Sequence, residues 1–351
     1  MKVVFVISSL NAGGAERVIA NLANEFSQRG YDVSIVLFRN VIHYSLVPQI
    51  CVEVIQESHK GSSYIYHASR QLRSKLKAKK PDVVISFLTE INVLSIFASA
   101  GQEWKLIVSE RNNPYVMPKN KRYRILRKLL YPFADTFVFQ TKQARDYFNN
   151  TIRRKSTIIH NPVVPTNVEQ RENQRNIFSI VSVGRLEPQK NMQLLIDAFA
   201  EFHKKYPDSE LTIYGEGSER NNLQLLIEKL SLDGVVNLPG NKQNILELIA
   251  NDNVFVLSSD YEGMSNALME AMAVGLPCIS TDCPIGGSAE LISDHENGIL
   301  VPVGDREKIT NAMIELYDNI ELRVKIGQKA KEIKQTHSIG CIADKWVDLL
   351  R

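Results

Sequence analysis

The sequence of 351 residues predicts an α/β protein of two successive βαβ domains, each built on a parallel sheet with helices on both faces. Short apolar runs alternate with amphipathic stretches along the chain, and this alternation is interrupted once, near the middle. The length also suits two domains of ordinary size. We predict an N-terminal domain at residues 1–164 and a C-terminal domain at residues 165–337, facing each other across a cleft. A final helix at about 338–351 is expected to pack back on the N-terminal domain.

The first half contains several predicted strands. An apolar run at residues 3–7 predicts a buried strand, and apolar residues follow it at helical spacing: Val18, Ile19, Leu22, Ala23 and Phe26. Further strands are predicted at residues 33–38, 83–87, 106–109 and 136–140. Because helix-like segments separate these strands, we expect them to pair in parallel.

A break in this pattern predicts a linker, formed by Asn161-Pro162-Val163-Val164-Pro165 and the polar run 166–176. The pattern then restarts with a strand at 180–183, a turn at Gly184, and a helix that carries Leu194, Leu195, Ala198, Phe199 and Phe202. Further strands are predicted at residues 211–214, 254–258 and 278–281.

The composition excludes several classes of protein. Apolar residues make up 44% of the chain and charged residues 23%, which is typical of a globular protein. The N-terminal apolar run is too short for a signal peptide, and no later run is long enough to cross a bilayer. The cysteines, Cys51, Cys278, Cys283 and Cys341, form no CxxC pair, so neither a disulfide scaffold nor a zinc site is expected. We therefore expect a reduced, cytoplasmic protein.

The charge is divided unequally between the two halves. Residues 1–165 contain 24 Lys and Arg against 11 Asp and Glu, a balance of +13, whereas residues 166–351 contain 18 against 28, a balance of −10. The N-terminal half is therefore expected to meet an anionic partner: membrane lipid, a phosphorylated acceptor or nucleic acid. No fold signature of nucleic-acid binding accompanies the charge, so we do not expect that partner.

Two basic stretches, residues 70–80 and 119–128, carry much of this positive charge. The second also contains apolar residues, among them Ile125 and Leu129, and the mixture is typical of an amphipathic helix at a membrane surface. A solvated basic face is the alternative for both stretches. The first interpretation predicts peripheral contact with the inner face of an anionic cell membrane.

Paired glycines, Gly13 and Gly14, lie between the first strand and the first helix. Glycines allow close approach of the backbone to a phosphate, and a helix N-terminus supplies free N–H groups. The sequence is neither the GxGxxG of a dinucleotide site nor a P-loop. A phosphate site and a simple tight turn both fit this motif.

A second candidate site is the turn Gly184-Arg185-Leu186-Glu187-Pro188-Gln189-Lys190-Asn191. Arg185 and Lys190 lie on opposite sides of the proline, where both can point at one anion. The turn follows the first strand of the second domain, and open α/β sheets bind ligands at such strand ends. Two solvated charges on a loop are the alternative.

The third site carries two glutamates, Glu262 and Glu270, with seven residues between them. Glu262 is expected in a loop, and either Ser265 or Asn266 can cap the helix that carries Glu270. The length of helix separates the carboxylates too widely for an acid/base pair on one bond, but they can bracket a diphosphate at the helix start. A loop acid and a surface acid are the alternative.

These motifs resemble, in matching order, those of the family-4 retaining glycosyltransferases, which have the GT-B fold of two Rossmann-like domains. The resemblance covers nearly the whole chain. It is carried by the E-x7-E pair, the Gly-Gly loop, the Arg/Lys turn, Gly215-Glu216-Gly217 after a strand, and His160-Asn161-Pro162 at the predicted hinge. The opening through Ala15-Glu16-Arg17, with Ser86-Phe87-Leu88 and Ser109-Glu110, resembles bacterial enzymes that extend lipid-linked oligosaccharide or surface polysaccharide, some of which transfer N-acetylgalactosamine.

The resemblance implies transfer, with retention, of a hexose or N-acetylhexosamine from a UDP-sugar bound by the C-terminal domain to a glycan acceptor bound by the N-terminal domain. It implies no cofactor and no metal. The implied catalytic residues are Arg185, Lys190 and Glu262. The implied substrate-binding residues are Gly13, Gly14, Arg111, Gly184, Glu216, Gly217, Gly263, Met264, Ser265, Asn266, Ala267 and Glu270.

Arg111 departs from the pattern, because many relatives have a histidine after the strand that ends here at Ser109-Glu110. An arginine cannot act as a base, so it either binds substrate or the acceptor contact is made elsewhere.

Three other classes of protein compete with a transferase. A non-hydrolysing UDP-sugar epimerase shares the layout but needs acid/base carboxylates and histidines. A dinucleotide oxidoreductase needs a glycine fingerprint that is missing. A non-catalytic nucleotide-sugar-binding protein does not need Arg185, Lys190 and Glu262 together.

Overall fold

The computed structural model describes residues 1–55, 63–164, 166–170 and 177–351. The chain divides into two compact units: a first unit of residues 1–162 and 337–351, and a second unit of residues 163–336. The division therefore lies two residues before the boundary placed from the sequence, and the C-terminal residues belong to the first unit. Pro165 and residues 171–176 of the predicted linker lie outside the described residues.

The first unit contains a seven-stranded parallel sheet with the strand order β3-β2-β1-β4-β5-β6-β7. Its strands are β1 (Lys2–Ile7), β2 (Asp32–Leu37), β3 (Cys51–Val54), β4 (Val83–Phe87), β5 (Lys105–Glu110), β6 (Thr136–Phe139) and β7 (Ser156–Ile158). Its helices are α1 (Gly14–Gln28), α2 (Tyr64–Lys79), α3 (Thr89–Ser99), α4 (Lys121–Leu130), α5 (Lys142–Asp146), α6 (Asn150–Arg154) and the C-terminal α14 (Ile339–Val347), with a 3₁₀ turn at Tyr131–Phe133.

Strand β1 shows why these apolar runs form central strands. Alternate residues point to opposite faces of a strand, and here Phe5 packs in the core on one face while Val4 and Val6 pack in the core on the other. A strand buried on both faces needs an uninterrupted apolar run, as parallel sheets require.

Helix α14 belongs to the first unit because its apolar face is buried there. Trp346 is fully buried, and its ring stacks on Phe87 at the end of β4, with the centroids 5.7 Å apart. Arg29, at the end of α1, binds Asp344 at 2.5 Å. The chain thus returns to the first unit after completing the second.

The second unit contains a six-stranded parallel sheet with the order β10-β9-β8-β11-β12-β13. Its strands are β8 (Phe178–Val183), β9 (Ser209–Tyr214), β10 (Val236–Gly240), β11 (Val254–Leu257), β12 (Cys278–Thr281) and β13 (Ile299–Val301). Its helices are α7 (Met192–Lys205), α8 (Arg220–Lys229), α9 (Ile245–Ile249), α10 (Asn266–Val274), α11 (Arg306–Asp318), α12 (Ile320–Ala330) and α13 (Ile333–Thr336), with a 3₁₀ turn at Pro188–Lys190.

The predicted α/β fold is confirmed, and both sheets have a point where the strand order reverses. In the first sheet β2 and β4 flank β1, and in the second β9 and β11 flank β8. Loops that leave neighbouring strands in opposite directions open a crevice at their carboxyl ends, where ligands bind in open α/β sheets. The candidate sites lie at these positions.

Candidate active site

In the second unit, the loops after β8 and β11 are joined by reciprocal hydrogen bonds. The backbone N–H of Asp260 donates to the carbonyl oxygen of Gln189 at 2.9 Å, and the Gln189 amide donates to the carbonyl of Tyr261 at 2.8 Å. The Asn191 side chain donates to the Asp260 carboxylate at 2.7 Å. These bonds fix the two loops against each other at the reversal point of the sheet.

The joined loops bring Lys190 and Glu262 into a direct ion pair, although they are 72 residues apart in sequence. Only 12% of the Lys190 side chain and 10% of the Glu262 side chain are exposed. The same Glu262 oxygen accepts a hydrogen bond from Ser259 at 2.9 Å. Because a buried ion pair is a poor source of stability, its position at a ligand-binding edge favours a functional role.

Cys283 contacts the loop that carries Glu262. Its Sγ donates a hydrogen bond to the carbonyl oxygen of Ser259 at 3.0 Å. Burial raises the pKa of Cys283 to about 12. The thiol therefore stays protonated near neutral pH and supports the loop without acting as a nucleophile.

Arg185 differs from Lys190 in having an exposed side chain. Within the described residues its guanidinium forms no hydrogen bond or ion pair. The two cations predicted to face one anion are therefore in different states: Arg185 is free to bind an anion, and Lys190 is held by Glu262.

Close backbone packing sets the course of the Arg185 loop. A Cβ atom on Gly215, whose φ is +147°, would collide with the carbonyl of Gly184, and one on Gly217 would collide with the carbonyl of Leu186. The Leu186 N–H donates to the Glu216 carbonyl at 2.9 Å. The Glu216 side chain is exposed and binds Arg220 at 2.8 Å, so its backbone positions the loop while its carboxylate faces solvent.

Helix α10 begins where the sequence predicts. Ser265 is its N-cap and accepts a hydrogen bond from the Leu268 N–H at 3.4 Å. Asn266 and Ala267 begin its first turn, and Gly263 and Met264 precede the cap. Glu270 is buried, with 7% exposure, so it is not the surface acid that the alternative interpretation requires.

Gly287 offers a direct test of the loop that carries Glu262. A Cβ atom at this position would collide with the carbonyl of Gly263, so Gly287→Ala must displace residues 263–264 next to Glu262. We expect a loss of about 1–3 kcal/mol in stability and a larger loss of activity than of folded protein. Gly340→Ala is the matched control, because its Cβ would meet nothing closer than 3.8 Å. Equal activity of the two variants would contradict this role of Gly287.

In the first unit Arg111 is buried, with 6% exposure. Its Nη1 donates to Asn161 at 2.9 Å, and its guanidinium carbon lies 4.1 Å from the Phe87 ring centroid and 5.7 Å from that of Trp346. Its Nε and Nη2 have no hydrogen-bond partner among the residues that the structure describes. Loss of hydration lowers the pKa of Arg111 to about 9. The arginine thus connects the sheet to helix α14.

The neighbouring Glu110 belongs to a buried polar cluster that the sequence does not predict. Its carboxylate accepts hydrogen bonds from Thr89 at 2.9 Å and from the Tyr131 hydroxyl. Loss of hydration raises the pKa of Glu110. The charge of Arg127 and the hydrogen bonds that Glu110 accepts oppose this shift. The only sequence signal was an acidic residue at the end of an apolar strand.

Gly13 is the N-cap of α1, and Gly14 is the first residue of that helix. A Cβ atom on Gly13 would collide with the carboxylate of Glu16, so this acid lies directly against the glycine turn.

The two basic stretches differ in how their charges are used. In α2, Lys75 and Lys79 both bind Glu53. In α4, Arg127 is buried and donates to loop carbonyls, so it does not belong to the membrane-facing charge predicted from the sequence. Arg124 also donates to a loop carbonyl but is exposed. The other exposed cations of α4 are Lys121, Arg122 and Lys128.

None of the helices in the described residues combines the length and apolarity needed to cross a membrane. No group of at least three His, Cys, Asp or Glu residues in that part of the chain is placed to hold a metal ion.

Two Rossmann-like units, with a cation–carboxylate pair at the carboxyl edge of the second, define a glycosyltransferase of the GT-B class. Two family models match the chain: Glycosyltransferase Family 4 over residues 12–167 and Glycosyl transferases group 1 over residues 165–333. The chain belongs to this glycosyltransferase family.

Two relatives come from Campylobacter jejuni. The N-acetylgalactosamine-N,N'-diacetylbacillosaminyl-diphospho-undecaprenol 4-alpha-N-acetylgalactosaminyltransferase is 30% identical over 94% of this chain and 94% of its own length. The GalNAc-alpha-(1->4)-GalNAc-alpha-(1->3)-diNAcBac-PP-undecaprenol alpha-1,4-N-acetyl-D-galactosaminyltransferase is 28% identical over 100% of this chain and 98% of its own length.

Solved structures share the whole fold. Anabaena HepE, in a crystal structure with UDP-glucose, superposes with a TM-score of 0.83 at 19% identity and covers 100% of this chain and 99% of its own. Sucrose-phosphate synthase from Thermosynechococcus elongatus superposes with a TM-score of 0.84 at 17% identity, over 99% and 98% of the two chains.

Proposed function

We propose that the protein is a retaining glycosyltransferase that moves a hexose or N-acetylhexosamine from a UDP-sugar to a lipid-linked glycan. The observation that carries this proposal is the buried Lys190–Glu262 pair at the reversal point of the second sheet. The donor binds there, and the acceptor binds to the first unit. The names of the Campylobacter relatives support the acceptor class, and the UDP-glucose complex of HepE supports the donor class.

The side chains of the second unit fit the parts of a nucleotide sugar. Arg185, exposed and free, supplies bidentate hydrogen bonds to the diphosphate. Lys190 and the N-terminus of α10 stabilise the negative charge that grows on the leaving group. Glu262 binds donor-sugar hydroxyls, and Glu270 the ribose. The backbone of Glu216 and Gly217 lies on the nucleotide side.

Retention follows most simply from attack on the face that the diphosphate leaves. The acceptor oxygen bonds to the anomeric carbon, the bond from that carbon to the phosphate oxygen breaks, and this oxygen takes the acceptor's proton. Glu262 is a weaker candidate for a covalent nucleophile, because its Oε1 already accepts hydrogen bonds from Lys190 and Ser259. These bonds lower the nucleophilicity of the carboxylate.

A mass-spectrometric screen of UDP-, GDP- and ADP-sugars, with and without lipid-linked acceptors, tests the proposal. We expect glycosylated acceptor with a UDP-sugar, and slow release of free sugar without acceptor. Isomerised donor would identify an epimerase instead, and unchanged donor under every condition would identify a binding protein.

Transfer is expected to continue at its full rate in excess EDTA. Arg185, Lys190 and the start of α10 already provide positive charge for the leaving diphosphate. A rate that falls with EDTA and recovers with Mg²⁺ or Mn²⁺ would contradict this prediction.

Helix α4 and the following turn support contact with an anionic membrane. Ile125, Leu129 and Phe133 are 60%, 61% and 75% exposed, and their spacing of four residues places Ile125 and Leu129 on one face of the helix. The exposed cations Lys121, Arg122 and Lys128 lie on the same helix. This mixture of apolar and basic side chains fits the interface of an anionic bilayer.

Vesicle sedimentation tests this surface. Each cation near an anionic membrane is worth about 1 kcal/mol, so changing all three to glutamine should weaken binding roughly a hundredfold. Ile125→Ser/Leu129→Ser/Phe133→Ser should also release the protein. The control, Leu225→Ser/Ile320→Ser/Val324→Ser, changes similarly exposed apolar residues of the second unit. Vesicle binding that changes neither with phosphatidylglycerol content nor with salt concentration would contradict the assignment.

A further inference from the structure

Asn191, which follows Lys190 directly, combines an uncommon backbone conformation with two side-chain hydrogen bonds. Its φ of +44° and ψ of +48° lie in the left-handed region, which asparagine tolerates better than most residues. Its Oδ1 accepts a hydrogen bond from the Leu194 N–H at 3.2 Å and so caps helix α7. Its Nδ2 donates to Oδ1 of Asp260 at 2.7 Å. One side chain therefore both begins the helix and joins its loop to the loop after β11.

Ser258, directly after β11, fixes the backbone at the same point. The residue is buried, with 1% exposure, and its hydroxyl lies 3.1 Å from the carbonyl oxygen of Lys190 and 3.0 Å from that of Asn191. A hydroxyl has one proton, so the two carbonyls share it. This contact holds the backbone of the turn, whereas the side chains depend on their own bonds to the facing loop.

Two bonds between side chains cross the loops at adjacent positions: Lys190 pairs with Glu262, and Asn191 pairs with Asp260. They differ in what the proposed reaction requires of them. Lys190 is to meet the diphosphate and Glu262 the sugar hydroxyls, so donor binding must turn these two groups away from each other. Asn191 and Asp260 have no such task. In the described part of the chain, Asn191 is the only side chain that donates to the Asp260 carboxylate.

The Asn191–Asp260 bond becomes important when the neighbouring ion pair opens. A buried charge that loses its partner is costly unless another group replaces that partner, and the donor supplies the replacements. The attraction between Lys190 and Glu262 then no longer holds the loops together. A hydrogen bond to a carboxylate is stronger than one between neutral groups, so the Asn191–Asp260 bond can keep the loops in place.

We infer that Asn191 and Asp260 are positioning residues for sugar transfer. The bond between them holds Lys190 and Glu262 at their places while these two exchange each other for the diphosphate and the sugar of the donor. The inference rests on the proposed function and deepens it.

Calorimetric titration with UDP, together with steady-state kinetics of transfer, tests the inference. Asn191→Asp keeps the helix cap and tolerates the left-handed backbone, but it places a second carboxylate against Asp260. We expect about tenfold weaker UDP binding and about tenfold lower kcat, because a hydrogen bond to a charged group is lost. The unfolding midpoint without UDP should change little, since the Lys190–Glu262 pair still joins the loops.

Asn319→Asp is the matched control. Asn319 also caps a helix of the second unit, since its side chain accepts a hydrogen bond from the Leu322 N–H at 2.9 Å. This variant makes the same change of residue at an N-cap that has no counterpart of Asp260. It should match the wild type in UDP affinity, kcat and unfolding midpoint.

The double variant Asn191→Asp/Asp260→Asn reverses the direction of the bond. The amide at position 260 can then donate to the carboxylate at position 191, and the net charge equals that of the wild type. UDP affinity and kcat should both return to within about twofold of the wild type, because residues in contact are not independent. Asp260→Asn alone keeps an acceptor oxygen without its charge, so it should weaken UDP binding by less than Asn191→Asp does.

Two results would overturn the inference. One is a double variant that binds UDP as weakly as Asn191→Asp. The other is an Asp260→Asn protein that binds UDP more tightly than the wild type, with effects that add in the double variant, because charge near the diphosphate would then account for all the changes. If the wild type and the double variant bind UDP equally well but neither transfers sugar to any acceptor, the proposed function fails while the positioning of the loops stands.

Discussion

Replacing Lys190 with alanine is expected to lower kcat for sugar transfer by about 10²–10³, with a smaller change in donor KM. The ammonium group faces charge that increases as the glycosidic bond breaks, so its contribution is greater in the transition state than in the bound donor. Steady-state kinetics with varied donor at saturating acceptor measure this. A pure increase in KM would place the diphosphate elsewhere.

The structure adds a control that the sequence could not suggest. Lys190→Ala leaves the buried Glu262 carboxylate without its cation, and breaking such a pair costs about 3–5 kcal/mol. The double variant Lys190→Ala/Glu262→Gln removes both charges and should recover much of the lost thermal stability, yet remain inactive. Recovery of activity together with stability would show that the pair is structural. Lys204→Ala, on the exposed face of α7, should match the wild type in both measurements.

Replacing Trp346 with alanine is expected to destabilise the first unit by about 3–5 kcal/mol. The ring is fully buried, stacks on Phe87 and lies beside the Arg111 guanidinium. Its loss leaves a cavity and removes one of the two aromatic surfaces that cover a buried charge. Because the chain has two tryptophans, the fluorescence of Trp104, in the same unit, can follow denaturant unfolding of the variant.

Leu225→Ala is the matched control, since this large side chain is 64% exposed. It should change the unfolding midpoint little. A Trp346→Ala protein with the wild-type midpoint would show that residues 337–351 do not stabilise the first unit.

The central strands could be predicted from the sequence because strands buried on both faces need uninterrupted apolar runs. The shorter strands at Cys51–Val54 and Ser156–Ile158 could not, since neither contains a residue buried well enough to require such a run. Strand Val236–Gly240 contains a proline, and its residues alternate between more buried and more exposed positions. Its sequence therefore resembles that of a loop.

Part of the candidate site was also predictable. Ser265 lies at the N-cap because a serine before an apolar helical run satisfies free N–H groups. The Lys190–Glu262 pair was not predictable. The two residues are 72 positions apart in sequence, and sequence spacing does not show which loops meet in the fold. The burial of Arg111 depends in the same way on how the strand ends are arranged.

The glycosidic linkage of the product tests the central claim most directly. NMR of one reaction mixture, with an α-linked UDP-sugar and a lipid-linked glycan, follows the anomeric proton from donor to product. We predict that the donor signal is replaced by UDP and a new α-glycoside on the acceptor. A β-glycoside would contradict retention, and an isomerised UDP-sugar without released UDP would contradict transfer.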